Sequence, residues 1–202
     1  MIEKSLTKSA RGRPLQFNHE AALNIALNLF WAHGFEGTSL NDLTAAMGIN
    51  RPSLYGAFGN KAALFDLCIE TYVDHHLAFV DEAVEKATLT ESFEHLFQSQ
   101  IELMTTGEPN KGCFIVQGIL NCAEENIAVK ASLIEARKTL EGKLRKRIQV
   151  AQMKQEIESG ISPAAFAKTI TTLYTGLSVQ AVSGATKKEL QEVVNLAKKL
   201  LS

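Results

Sequence analysis

Residues 39–58 read SLNDLTAAMGINRPSLYGAF, and this stretch decides the fold expected of the chain. Its first half carries apolar side chains at positions 40, 43 and 47, which share one face of a short helix. Gly48 and Ile49 then predict a tight turn, and Asn50 is placed to cap a second short helix that Leu54 and Phe58 anchor. Two short helices joined by a glycine turn are typical of a helix-turn-helix unit.

In such a unit the second helix presents its N-terminal residues to the major groove of DNA. An arginine there can pair with two acceptors of a guanine, and hydroxyl groups can bind phosphate or contact a thymine methyl. We therefore predict that the DNA contacts come from Asn50, Arg51, Pro52, Ser53, Tyr55 and Gly56. Thr38 and Ser39, just before the first helix, are predicted to offer hydroxyls to phosphate, and Lys61 to meet the next phosphate.

Outside this unit every long segment follows a helical period, so the predicted fold class is all-α. The first helix has an apolar stripe at positions 22, 25, 26, 29 and 30, with Asn18 as its N-cap and Gly34 as its end. Asn60 is predicted to cap a long helix that runs to about residue 86. Further helices are expected at 90–105, 112–123, 126–154, 162–183 and 187–201.

Three regions are predicted along the chain. Residues 1–16 form a basic N-terminal arm, 17–62 a helix-turn-helix DNA-binding domain, and 63–202 an effector-binding and dimerisation domain. Because the boundary falls inside the long helix that Asn60 caps, the two domains should be joined rigidly. Arg11 and Arg13 of the arm are predicted to enter the minor groove beside the recognition helix, the alternative being a solubilising tail.

Composition describes an ordinary globular chain of 202 residues, with 46% hydrophobic and 21% charged side chains. Residues 1–61 hold six Lys or Arg against four Asp or Glu, whereas the remainder holds 15 against 18, which suits a basic head on an acidic body. Three scattered cysteines exclude a disulfide framework and predict a reducing cytoplasm. Neither a signal peptide nor a membrane-spanning helix is expected.

The stretches GRPLQF at 12–17 and ALNLFWAHGFEGTSLNDLTAAMGINRPSLYGAFGNKAALF at 26–65 resemble the N-terminal domain of the TetR/AcrR family of one-component transcriptional regulators. The shared features are Gly-Phe-x-x-Thr-Ser, Asp-Leu-x-x-x-Met-Gly-Ile and Leu-Tyr-x-x-Phe-x-x-Lys-x-x-Leu-Phe. The resemblance implies a DNA-binding unit from Thr38 to Phe58, with Tyr55 and Lys61 on the DNA backbone, and a C-terminal effector and dimerisation domain. The Asn-Arg-Pro-Ser-Leu-Tyr helix and Gly-Cys-Phe at 112–114 also resemble a ComR-like subgroup associated with copper response.

The larger domain lacks the common hydrolase, zincin and di-iron motifs, so no enzyme activity and no cofactor are expected. An effector pocket is predicted instead, with the polar candidates His95, Gln98, Cys113, Gln117, Asn121 and Tyr174. Cys113 follows Lys111 at a predicted helix start, where the helix N-terminus and the ammonium would favour a thiolate that senses oxidants, electrophiles or copper. The alternatives are a buried packing cysteine and a reversible organic ligand, and the identity of any metal stays open.

The helix at 162–183 is apolar around most of its circumference, so it must be buried on two sides. We predict a homodimer interface from this helix and the last one, using Phe166, Ile170, Leu173, Leu177, Leu190, Val194, Ala197 and Leu201. The alternative is a single compact bundle.

Together these features predict a homodimeric repressor released from an inverted-repeat operator by a small-molecule, metal or redox signal, without a membrane partner. The rival interpretation is a helical-bundle ligand-binding or redox protein that does not bind DNA.

Overall fold

A computed structural model describes residues 18–106 and 112–201, and these residues form ten α-helices and no strand. The helices are α1 His19–His33, α2 Leu40–Met47, α3 Arg51–Phe58, α4 Lys61–His76, α5 Ala78–Val84, α6 Leu89–Thr105, α7 Phe114–Asn121, α8 Ile127–Met153, α9 Pro163–Val182 and α10 Lys187–Leu201. The predicted all-α class is confirmed. The basic arm with Arg11 and Arg13 lies outside the described residues, and so does the side chain of Leu201.

The first four helices begin where short polar side chains can cap them. In each case the cap oxygen accepts a hydrogen bond from the backbone N–H three residues further on, at 2.9–3.1 Å, which satisfies a donor that the helix leaves unpaired. The caps are Asn18, Ser39, Asn50 and Asn60. Asp42 also accepts from the Ser39 N–H, which completes a capping box. The helix starts predicted from these caps are therefore confirmed.

Helices α1–α4 form the head of the molecule around one apolar core. Leu27, Phe30, Leu43 and Leu54 are buried there, and the Phe30 ring meets the Phe65 ring edge-on at 4.9 Å. Helix α4 packs against α1 on one side and against α8 of the body on the other. The head is therefore built onto the body through a helix that belongs to both cores.

The long helix predicted to reach residue 86 is interrupted at Leu77. Helix α4 ends at His76 and α5 begins at Ala78, with Leu77 at φ −107° and ψ 11° between them. Neither glycine nor proline lies at this break. Its cause is tertiary packing, because α5 turns its buried residues Val80 and Ala83 toward α6. The apolar pattern continues across Leu77, so the pattern alone does not reveal the change of direction.

Helices α6–α10 form the body, in which α8 packs against α7 and α9, and α10 lies on α6. Helix α7 approaches α8 closely at Gly118, where a Cβ atom would come within 2.9 Å of the Leu133 side chain. Phe97, Ile101 and Met104 of α6 fill the centre of this domain. No helix in the described part of the chain is long and apolar enough to cross a membrane.

A single carboxylate connects the loop between α1 and α2 to the loop between α7 and α8. Glu36 Oε1 accepts a hydrogen bond from the Ala123 N–H at 2.7 Å and another from Asn126 Nδ2 at 2.9 Å. Burial raises the pKa of Glu36, but these two hydrogen bonds outweigh that effect and hold the pKa below its ordinary value. The head is therefore attached to the end of α7 through the charged form of Glu36.

We expect Glu36→Ala to lower the free energy of unfolding by about 1 kcal/mol at pH 7, or the melting temperature by about 2–4 °C. Because the folded-state pKa is depressed, the contribution of Glu36 is complete above the ordinary glutamate pKa and is lost as pH falls through the folded value. Thermal melts of wild type and variant should therefore differ at neutral pH and converge as pH falls below the depressed pKa of Glu36. Glu70→Ala, on an exposed position of α4, is the control. An equal effect of both substitutions would contradict the assigned contact.

Candidate nucleic-acid interface and effector site

The turn between α2 and α3 is fixed by backbone geometry. Gly48 adopts the left-handed conformation, φ 67° and ψ 30°, which glycine tolerates without strain. The N–H of Gly48 bonds to the Ala45 carbonyl, and that of Ile49 to the Thr44 carbonyl at 3.1 Å. Pro52 in the first turn of α3 needs no intrahelical donor there, so it stiffens the start of this helix at no cost in hydrogen bonds. These features fix the orientation of α3 relative to α2.

The first turns of α3 present their side chains to solvent. Every residue predicted to contact DNA from this segment is exposed: Asn50, Arg51, Pro52, Ser53, Tyr55 and Gly56. The Tyr55 side chain is 47% exposed, although aromatic residues are usually more buried than this. It is therefore available to contact a partner. A Cβ atom at Gly56 would meet no other atom within 4 Å, so the internal packing does not demand glycine here.

Arg51 is held in place by a residue that the sequence did not single out. Its Nη2 donates a hydrogen bond to Asn41 Oδ1 at 2.9 Å, which joins the start of α3 to the start of α2. This contact limits the number of rotamers that the long side chain can adopt and leaves its other donors for a ligand. Asn41 is also exposed, so the pair lies on the outer surface of the head.

The three flanking candidates differ in their surroundings. Ser39 is exposed, whereas Thr38 is completely buried and its hydroxyl donates to the Gly34 carbonyl at 2.8 Å. Thr38 therefore stabilises the turn after α1 and is removed from the proposed phosphate contacts. Lys61 is half-buried, with Nζ 4.3 Å from the centre of the Phe35 ring. Burial lowers the pKa of Lys61, and nearby Glu36 opposes that shift.

An all-helical chain whose head carries two capped short helices at a fixed glycine turn belongs to the helix-turn-helix class. The family described as bacterial regulatory proteins, tetR family, matches residues 22–68, and the tetracyclin repressor-like C-terminal domain matches residues 90–197. The second match alone covers more than half of the chain, which therefore belongs to the TetR family. It is a transcriptional regulator rather than an enzyme, as predicted.

The chain is similar to several curated repressors and to a solved regulator structure. The HTH-type transcriptional repressor ComR of Escherichia coli K12 is 28% identical over 96% of this chain and 93% of its own. The repressor BdcR of the same organism is 32% identical over 54% of this chain and 55% of its own. A solved structure of a cysteine mutant of the regulator CifR, complexed with 26-bp operator DNA, is 30% identical with a TM-score of 0.87, covering 93% of this chain and 98% of that one.

The predicted effector residues do not form one site. His95 pairs with Glu82 at 3.0 Å near the surface, Gln98 and Asn121 are exposed, and Gln117 is half-buried. Cys113 and Tyr174 do lie together, on the wall of a cavity of about 20 Å³ inside the body. The remaining wall residues are Leu77, Ile115, Val116, Ala136, Arg137, Leu140, Thr171 and Thr175.

No group of three His, Cys, Asp or Glu side chains that could hold a metal occurs in segments 18–106 and 112–201.

The expectation that Cys113 is a thiolate is wrong. Its side chain is 1% exposed, and burial raises the pKa of the thiol. The hydroxyls of Tyr72 and Tyr174 and the amides at the start of α7 favour the thiolate, but they only partly offset the burial. Desolvation therefore outweighs the helix N-terminus here, and Cys113 is a neutral thiol in the wall of the cavity.

The predicted dimer interface requires a similar correction. Ile170, Leu177, Leu190 and Val194 are at most 4% exposed in the single chain, so they belong to its own core and offer a partner little surface. Phe166, Leu173 and Ala197 are partly buried against that core. A different apolar set on the same two helices remains outside, namely Val179, Val182, Val193 and Leu196 at 37–59% exposure. This set is called the outer apolar face below.

Proposed function

We propose that the chain is a DNA-binding transcriptional repressor that reads its operator with α3. The observation that carries this proposal is the exposed Arg51, supported by Asn41 at the start of a helix whose orientation the Gly48 turn fixes. An arginine in that position can bond to O6 and N7 of guanine in the major groove. The operator DNA bound to the similar regulator CifR supports the same use of the head. A regulator of this kind acts at the chromosome, which for a bacterial protein is in the cytoplasm.

We further propose that two copies associate through α9 and α10. An open groove of about 680 Å³ lies between these helices, lined among others by Leu173, Gly176 and Val193, and Val193 also belongs to the outer apolar face. Burying this face against a second copy removes apolar surface from water, which is the main driving force of association. Two heads related by a two-fold axis then read an inverted repeat whose half-sites lie about one helical turn apart.

The decisive experiment selects duplexes bound by the full chain from a random pool and titrates the enriched sequence at two salt concentrations. We expect an inverted repeat that binds about a thousandfold or more tighter than unrelated DNA. Retention on DNA that disappears equally for all sequences at moderate salt would instead favour the rival interpretation, a helical-bundle protein without an operator.

Backbone contacts have a different signature from base contacts. Lys61→Ala is expected to weaken binding to all duplexes alike and to reduce the slope of log affinity against log salt by about 1. The matched control is Lys188→Ala on an exposed position of α10, far along the chain from the head. Titrations of operator and unrelated duplexes over a salt series measure both quantities. A loss confined to one base pair of the operator would contradict the backbone assignment of Lys61.

Release from the operator is proposed to follow an event in the body. The cavity that holds Cys113 and Tyr174 is bounded by α7, α8 and α9 and by Leu77, where α4 ends. A ligand that changes the spacing of these helices also displaces α4, and α4 carries the head. In a dimer such a displacement alters the separation of the two recognition helices, so that both no longer fit one operator.

A further inference from the structure

The wall of the internal cavity is mostly apolar, but it contains two polar atoms that make no hydrogen bond of ordinary geometry, Tyr174 Oη and Arg137 Nε. Both atoms are shielded from solvent, and the Tyr174 hydroxyl lies close enough to the neutral Cys113 thiol, a weak hydrogen-bonding group, to interact with it. The Tyr174 residue is only 2% exposed. Leaving a buried donor unpaired costs about 1–3 kcal/mol, so both donors would gain from an acceptor placed in the cavity.

Arg137 also lacks a neutralising partner. Among residues 18–106 and 112–201 no carboxylate forms an ion pair with its guanidinium. Arg147, ten residues further along the same helix, shows the ordinary arrangement: it is buried and pairs with Glu156 at 3.4 Å. Arg137 is half-buried with its Nε shielded from solvent, and among the described residues it carries no ion pair at the cavity, whereas the fully buried Arg147 on the same helix does.

The other polar groups of the wall supply neither a negative charge for Arg137 nor a strong acceptor for the two donors. The hydroxyls of Thr171 and Thr175 donate to carbonyls of their own helix, at 3.1 and 2.8 Å. The Cys113 thiol is neutral because burial raises its pKa. Arg137 is thus the single charged residue in a wall otherwise formed by aliphatic, aromatic, hydroxyl and thiol side chains.

We propose that the effector of this regulator is a small organic anion, a carboxylate with an apolar body, whose oxygens accept hydrogen bonds from Arg137 and Tyr174. Arginine matches the two oxygens of a carboxylate better than any other side chain. The apolar body lies against Leu77, Ile115 and Leu140. Binding of the carboxylate is inferred from the cavity alone, whereas its consequence, release of DNA, rests on the proposed function.

The present volume of about 20 Å³ accommodates about one water molecule, so a carboxylate can enter only if the surrounding helices move. Leu77 lies in this wall and joins α4 to α5 without belonging to either helix, so we infer that it shifts when the helices move. Ligand entry is therefore inseparable from a change at the junction between α4 and α5.

The test measures ligand binding in the absence of DNA. Melting temperatures of the full chain are recorded with acetate, butyrate and benzoate at equal ionic strength, and with benzamide as a neutral analogue of benzoate. We expect stabilisation that increases from acetate to benzoate and is absent with benzamide. Calorimetric titration of the best carboxylate should show Kd weakened about a hundredfold by Arg137→Gln and about tenfold by Tyr174→Phe.

Arg145→Gln, on an exposed position of α8, should leave Kd unchanged and controls for loss of charge from that helix. Tyr174→Phe removes one hydroxyl from a packed ring, so it reports on recognition even if Arg137→Gln folds poorly. Equal stabilisation by benzoate and benzamide, or no stabilisation by any carboxylate, would overturn the proposal. Operator affinity measured without ligand is a separate quantity, so failure of the effector inference is distinguished from failure of DNA binding.

Discussion

Replacing Arg51 with alanine is expected to lower operator affinity roughly 5- to 150-fold while leaving affinity for unrelated DNA nearly unchanged. The guanidinium is exposed and already oriented by Asn41, so its remaining donors can meet a guanine with little loss of side-chain entropy. A bidentate pair of this kind is worth about 1–3 kcal/mol of discrimination against the wrong base. Titration of the selected operator and of a scrambled duplex measures the two affinities.

Two comparisons sharpen this result. Asn41→Ala removes only the residue that orients Arg51, and we expect it to weaken operator binding by a smaller factor in the same direction. Arg145→Ala removes one positive charge from the exposed surface of the body and should have no effect on either duplex. If the folded Arg51→Ala protein binds the operator as tightly as wild type, the assignment of Arg51 to base recognition is wrong.

The second large effect is expected from Leu196→Glu. Leu196 is 59% exposed on α10 and lies in the outer apolar face, so a carboxylate there leaves the single chain intact but places an unpaired charge in the dimer interface. The variant should be a monomer at micromolar concentration and should lose tight operator binding, because one head then contacts one half-site. Sedimentation velocity measures the mass, and titration of the inverted repeat measures the affinity.

Met153→Glu is the matched control, since Met153 is 76% exposed at the end of α8 and outside the outer apolar face. It should leave mass and operator affinity unchanged. Val194→Glu, in contrast, places a charge at a position that is only 4% exposed within one chain, and it should lower the melting temperature of the subunit itself. A wild-type mass equal to one chain would contradict the proposed dimer.

Much of the head could be predicted from the sequence because its determinants are local. Asn18, Ser39, Asn50 and Asn60 cap helices through atoms three residues away, and Gly48 turns the chain through its own backbone conformation. Such interactions involve only residues that are close in sequence, so the residue types and their spacing are enough to predict them. The exposure of Arg51 follows from the same short-range geometry.

The features that escaped prediction depend on distant parts of the chain. The break at Leu77 follows from the packing of α5 on α6. Which apolar stripe of α9 and α10 faces outward depends on where α6 and α8 lie, and periodicity alone does not distinguish Val194 from Val193. The protonation of Cys113 does not follow from its local sequence, because its burial depends on distant helices such as α9, whose Ser178, 65 residues away, accepts a hydrogen bond from the Cys113 N–H.

The proposed displacement of the head can be expressed as a tilt of α4 about Leu77, the point inside the body where that helix ends. Sixteen residues at about 1.5 Å each give an arm of about 24 Å. A tilt of about 10° around Leu77 therefore carries the far end of α4, next to α3, through about 4 Å. In a symmetric pair the two displacements add to as much as about 8 Å, a considerable part of the roughly 34 Å between successive major grooves. A motion too small to expose the core of the body would thus be large on the scale of the DNA helix.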